Sequence, residues 1–181
     1  MNTAIITGAS AGIGYAFAKE LAKEAKYNLL LVARREDRLI ALQKEIEELW
    51  SDRENAPEVS YYVLDLQDER ARENFIRNLD KTNVELLINN AGYGHVGNFS
   101  DADIKWHLDM VELNVKAAIH LCHGFVSKMQ QQKKGCIINV CSTASFQPMP
   151  YMSTYAATKS FLRNFSVALA KEVKKDGVHV M

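Results

Sequence analysis

The chain has no apolar run approaching the roughly 20 residues that a membrane span requires, so a spanning helix is not expected. It also lacks a charge excess: 22 Lys and Arg stand against 22 Asp and Glu, which leaves no electrostatic footprint for nucleic acid or an anionic membrane surface. Cysteine is scarce. Cys122, Cys136 and Cys141 are odd in number, sit in apolar surroundings and show no metal-ligand spacing, which argues against a disulfide scaffold or a zinc site. Reduced thiols in a cytoplasmic setting are the expectation. The first strand-like stretch begins within a few residues of Met1, so no signal or transit peptide is expected ahead of it. Internal repeats, low-complexity tracts and linkers are absent, and 181 residues suffice for one domain with a true core.

What is present is an alternation of strand and helix patterns. Thr3 to Thr7 and Leu29 to Ala33 are short apolar runs of the kind a parallel strand shows when both of its faces are covered. Val59 to Leu64, Val84 to Ile88 and Cys136 to Val140 read as further strands. Between them lie helical patterns: Ile13, Phe17 and Leu21; Leu39, Leu42, Ile46 and Leu49; Phe75, Ile76 and Leu79. Ser100, with Asp101 and Asp103 behind it, looks like a cap and acidic first turn, opening a helix that runs to about Lys133. Ser153 to Lys175 forms the last helix. The fold class this predicts is α/β: an open, doubly wound parallel sheet, Rossmann-like, with ligands beyond the carboxyl ends of its strands.

Chemistry gathers at those ends. After the first strand comes Gly8-Ala9-Ser10-Ala11-Gly12-Ile13-Gly14, a turn whose backbone amides and following helix N-terminus suit a pyrophosphate. Its plain alternative is a glycine-rich joint between strand and helix. Near the other end, Tyr155 and Lys159 stand four apart, on one face of a helix. An ammonium beside a phenol favours the ionised phenol, which lets such a pair pass a proton to or from a carbonyl oxygen. Ser142 lies thirteen residues upstream at the end of an apolar run, and Cys141 beside it is read as a core residue facing the other way.

With Thr7-Gly8-Ala9-Ser10-Ala11-Gly12-Ile13-Gly14, Asn89-Asn90-Ala91-Gly92, Asn114, Ser142 and Tyr155-x-x-x-Lys159 in one order, the chain resembles the short-chain dehydrogenase/reductase family. The resemblance runs over nearly the whole of residues 1–181. It implies a nicotinamide cofactor held by Gly8, Ser10, Gly12, Ile13, Gly14, Asn90, Ala91 and Gly92, with Asp65 and Leu66 on the adenine. It also implies a catalytic set in which Tyr155 is the general acid, Ser142 holds the carbonyl oxygen and Lys159 serves both phenol and ribose. Asn114 would interrupt its helix and hold a water that relays protons to the lysine. For Asp65 the alternative is a helix cap. An acidic residue normally ends the second strand of an NAD site; here Ala33 is followed by Arg34 and Arg35. A guanidinium suits the 2′-phosphate of NADP(H), so Arg34 is assigned to it and Arg35 to solvent.

The substrate expected is a small-molecule ketone, 3-oxoacyl compound or the corresponding alcohol. Tyr93 to Phe99 and Phe146 to Met152 are placed to line its side, and His95 is read as a hydrogen-bonded loop histidine. The chain stops inside what resembles the family's sixth strand, whereas members usually continue through a substrate-covering segment and a last strand. Two functions therefore stay open: an NADP-dependent oxidoreductase, and a non-catalytic NADP-binding or dimerisation module. The resemblance also implies a homodimer or homotetramer packed through the two long helices.

Overall fold

The computed structural model describes all of residues 1–181. Six strands, β1 (Thr3–Thr7), β2 (Asn28–Ala33), β3 (Val59–Val63), β4 (Val84–Asn89), β5 (Gly135–Asn139) and β6 (Val178–Val180), form one parallel sheet in the order β3-β2-β1-β4-β5-β6. Between them run α1 (Gly12–Glu24), α2 (Glu36–Trp50), α3 (Glu69–Asn78), α4 (Ile104–Val111), α5 (Ala118–Gln132) and α6 (Ser153–Val173). This is the doubly wound α/β architecture, Rossmann-like and one domain. No helix is long and apolar enough to cross a membrane.

Alternation along the strands explains the two layers. Ile5 joins Leu87, Ile137, Phe75, Leu121 and Phe125 in a core under α3, α5 and α6. Its neighbour Ile6 points to the opposite face, where Leu31, Ile88, Ala18, Ala22, Leu39, Leu42, Ile46 and Trp50 pack beneath α1 and α2. Both sides of the sheet are thus covered, which is why the strands carry continuous apolar runs. Phe125 is fully buried and edge-on to Phe75, so its truncation to Ala should cost about 3–5 kcal/mol.

Registers of Ala33 with Val63 and Asn89 with Asn139 align the carboxyl ends of β2 with β3 and of β4 with β5. Asn89 donates to Asn139 Oδ1 at 2.9 Å and to Cys122 Sγ at 3.3 Å, and Asn139 donates to Ser166 Oγ at 2.8 Å. This buried polar cluster leaves Asn89 Oδ1 without a partner. Burial pushes the Cys122 thiol up to about 11.

Three expectations about helices need correction. The helix expected from Ser100 starts later: Phe99–Asp101 is a short 3₁₀ turn, and α4 is capped by Asp103, which accepts from the Lys105 N–H at 2.8 Å. Ser100 lies inside that 3₁₀ turn rather than at a helix N-cap, and its hydroxyl donates to the Asp101 carboxylate. The run to Lys133 is interrupted where the resemblance implied, at Asn114: Glu112–Ala117 is wound as a π turn between α4 and α5. Finally, α6 ends at Val173 and gives way to a 3₁₀ turn closed by Gly177 at φ 74°. Asp68, not Asp65, caps α3, by accepting from the Ala71 N–H at 3.0 Å.

Candidate active site

The glycine turn is shaped by what surrounds each glycine. Gly8 adopts φ 67°, and a Cβ there would meet Asn90 Nδ2 at 2.7 Å; a Cβ on Gly14 would run into the Gly8 carbonyl. Both are required by the packing of the turn itself. Gly12, at φ 58°, faces open space instead, so its bareness leaves room for a ligand against the main chain. The helix that starts there has no side-chain cap on its first amides. An anion at that helix end would satisfy them. The residues present therefore fit a nucleotide pyrophosphate.

The turn is held from β1 and β4. Thr7 Oγ1 donates to the Ile88 carbonyl at 3.0 Å and accepts from the N–H groups of Asn90 and Ala91 at 2.9 and 3.1 Å. Asn90 Nδ2 returns a bond to the Thr7 carbonyl at 2.9 Å. The motif quoted above begins at Thr7, but nothing in the sequence signals that its hydroxyl ties the turn to the end of β4.

A cleft of about 560 Å³ opens along this edge of the sheet. Of the residues expected to bind cofactor, Gly8, Ser10, Gly12, Ile13, Arg34, Asp65, Leu66, Asn90, Ala91, Gly92, Tyr155 and Lys159 line it; Gly14 supports the turn behind. The strand order sets residues past β2 and β3 on one side of β1, and those past β4 and β5, with α6, on the other. On the first side Arg34 lies 3.8 Å from the Asp65 carboxylate, with both side chains exposed. Arg35 is exposed at the start of α2, as expected, and its Nη2 and Nε also donate to Ser10 Oγ at 3.1 and 3.3 Å, across the mouth of the glycine turn.

On the second side, Asn114 is buried inside the π turn. Its Oδ1 accepts from the Tyr93 N–H at 3.1 Å, while Nδ2 donates to the Tyr93 carbonyl at 2.9 Å and to Thr158 Oγ1 at 3.1 Å. One amide therefore pins the loop after β4 to α6. A Cβ built on Gly92 would lie 2.8 Å from Asn114 Oδ1 and 3.6 Å from Lys159 Nζ, so both polar groups converge there. Lys159 is only 6% exposed and forms no ion pair; its Nζ donates to the Val140 carbonyl at 2.7 Å and lies 6.0 Å from the Tyr155 ring centre. Burial pushes this ammonium below the usual lysine range, with a smaller opposing pull from Cys141.

Ser142 stands just past β5, where its Oγ accepts from the Ala144 N–H at 3.1 Å and leaves its own hydrogen to donate elsewhere. Its neighbour Cys141 departs from expectation by lining the cleft. Because β5 ends at Asn139, the alternation of a strand does not reach residues 140 to 142. His95 makes no hydrogen bond through its ring; it rests against Trp106, with ring centres 5.9 Å apart. Beside it lie Tyr93, Phe99 and His107, the last held between Thr154 Oγ1 at 2.9 Å and the Phe99 carbonyl at 3.2 Å.

Known proteins share this fold. The sequence profile described as short chain dehydrogenase matches residues 2–181. A very-long-chain 3-oxoacyl-CoA reductase of Laccaria bicolor is 36% identical over 179 residues, which cover 98% of this chain and 52% of that protein. The chain thus spans about half the length of such relatives. Among solved structures, the bulky-bulky ketone specific alcohol dehydrogenase from Comamonas testosteroni superposes with a TM-score of 0.92 at 31% identity, covering all of this chain and 71% of its own. A short-chain dehydrogenase from Sphingobium yanoikuyae in complex with NADPH also gives 0.92, at 30% identity, covering 100% and 69%. With its profile matched end to end and its fold shared at this level, the chain belongs to the short-chain dehydrogenase family.

Proposed function

We propose that this chain binds NADP(H) and carries the proton-transferring half of a carbonyl reductase that makes an alcohol from a ketone or 3-oxoacyl compound. The observation that carries the reading is Lys159: an ammonium buried without a counter-ion, one helical turn from Tyr155, on the wall of the cleft. Such burial costs stability and persists where the charge has work to do. The NADPH bound by the Sphingobium yanoikuyae neighbour and the reductase activity named for the Laccaria bicolor relative support it.

A bound dihydronicotinamide would supply the hydride. The chain's own residues would do the rest. Tyr155 would give its hydroxyl proton to the oxygen on which charge develops, and Ser142, one of its lone pairs taken by the Ala144 N–H and its hydrogen still free, would donate to the same oxygen. Lys159 has three N–H bonds; Val140 takes one, leaving two for the phenol side and for ribose hydroxyls. Asn114 would keep the loop at Tyr93 and the Tyr155 helix in fixed relation. At the nucleotide end, Gly8, Ser10, Gly12, Ile13 and Gly14 would carry the pyrophosphate, Asn90, Ala91 and Gly92 would line the adenosine side, and Asp65 and Leu66 would face the adenine. Arg34 and Arg35, with no carboxylate at the end of β2, favour a 2′-phosphate and hence NADP(H) over NAD(H).

The test is a fluorescence titration of the 181-residue chain with NADPH and NADH in parallel, followed by a ketone screen that monitors NADPH consumption. Saturable binding that favours NADPH, with turnover that Tyr155→Phe removes, is the expected result. Equal affinity for both cofactors would overturn the NADP assignment. Turnover unchanged by Tyr155→Phe would remove Tyr155 from the reaction.

A further inference from the structure

The largest of the fully buried side chains is charged. Arg72, on α3, is 2% exposed, and its guanidinium reaches three different elements. Nη1 donates to the Leu66 carbonyl, Nη2 to Glu112 Oε1 at 2.8 Å, and Nε to His120 Nδ1 at 3.3 Å. Glu112 is the first residue of the π turn, and Leu66 lines the nucleotide end of the cleft. A second side chain from the same segment acts one turn earlier: Gln67 Nε2 donates to the Asp109 carbonyl at 3.0 Å, in the last turn of α4.

A π turn departs from the i→i+4 ladder and is held only where outside contacts favour it. Here Gln67 takes a helix carbonyl at the entry to the turn, and Arg72 takes the carboxylate of its first residue. Burial pushes the Glu112 carboxyl up, but bonds from Lys116 and Arg72 outweigh it and keep the group ionised below the usual range. Asn114 follows two residues later, within the same turn.

We infer that Gln67 and Arg72 are positioning residues for Asn114: they hold the π turn in register and couple the nucleotide end of the cleft to its catalytic end. This rests on Asn114 serving the site proposed above, and the experiment separates the two claims. Arg72→Met, Arg72→Lys, Gln67→Ala and a control, Lys128→Ala, are compared with the unmodified chain by hydrogen exchange and by NADPH titration. Lys128 pairs with Asp80 at 2.9 Å, tying α5 to the chain after α3 without touching the turn.

Amides of residues 112–118 exchange about tenfold faster in Arg72→Met and Gln67→Ala than in the control. The NADPH dissociation constant of Arg72→Met rises by between about 2-fold and about 30-fold, and Arg72→Lys recovers part of it because one ammonium still reaches one of the three acceptors. Exchange in the turn that matches the unmodified chain in both Arg72→Met and Gln67→Ala overturns the inference. Should Arg72→Met fail to fold, Gln67→Ala decides alone. If the unmodified chain binds NADPH but reduces no ketone, the reductase reading fails, and a turn loosened in the two variants still leaves the positioning role standing.

Discussion

Lys159→Met removes an ammonium and keeps nearly the same length of apolar stem. The folded chain holds that ammonium 6% exposed, bonded to one backbone carbonyl and paired with no carboxylate. Taking an ion this far from water costs several kcal/mol, whereas stranding the Val140 carbonyl costs about 1–3 kcal/mol. Ion burial is the greater of the two costs, so the variant should be more stable than the unmodified chain by about 1–3 kcal/mol at pH 7, with Tm raised by about 2–4 °C for each kcal/mol. The pH dependence fixes the cause. Burial lowers the folded-state pKa of Lys159, so above that value the unfolded chain binds more protons than the native one, and native stability rises with pH until the ordinary lysine range near 10.4. The advantage of the variant is therefore full below the lowered folded-state value and shrinks toward pH 10. Urea denaturation of both proteins at pH 7 and pH 9.5 reads it directly. A variant less stable than the unmodified chain, by a margin that does not change with pH, would refute the claim that charge burial is the cost.

Three further outcomes are expected. Tyr155→Phe should lower kcat by about 10²–10⁴-fold while NADPH affinity stays within about twofold, measured by turnover and titration. Arg34→Ala and Arg35→Ala should each weaken NADPH by about tenfold or more and NADH little, since a charge-assisted bond to phosphate is worth about 1.5–3 kcal/mol; equal losses for both cofactors would deny them the phosphate. Gly94→Ala should press a methyl group on the Tyr155 ring, which a Cβ there would approach to 2.9 Å, and a displacement of that kind can lower kcat about 10²-fold with cofactor binding intact. An unchanged kcat would mean the loop yields before the ring does.

The fold was legible because parallel strands covered on both faces must be apolar throughout, and glycine turns punctuate them where backbone meets backbone. Tyr155 and Lys159 were legible because helical periodicity puts residues four apart on one face. Other parts were out of reach for physical reasons. The resemblance implied a break at Asn114, but its winding as a π turn leaves no spacing signature, since it depends on contacts to Gln67 and Arg72 from residues 42 and 40 positions later. The bond from the exposed Arg35 to Ser10 was hidden because nothing in the sequence reveals that Ser10 lies within its reach. Cys141 was assigned to the core by carrying strand alternation two residues past the true end of β5.

The cysteines give the chain two chemical clocks that run on different motions. Cys122 lies in the polar cluster beneath β4 and β5, and at pH 7 only on the order of one in ten thousand of its thiols is ionised. An alkylating reagent therefore modifies it at the pace at which the core opens, so its labelling rate measures global unfolding under native conditions. Cys141, half-buried on the cleft wall, is reached without unfolding. Its rate records whether the cleft is filled, and a dinucleotide that slows Cys141 by occupancy slows Cys122 only by the stability it adds. One labelled chain, digested and weighed, reports both.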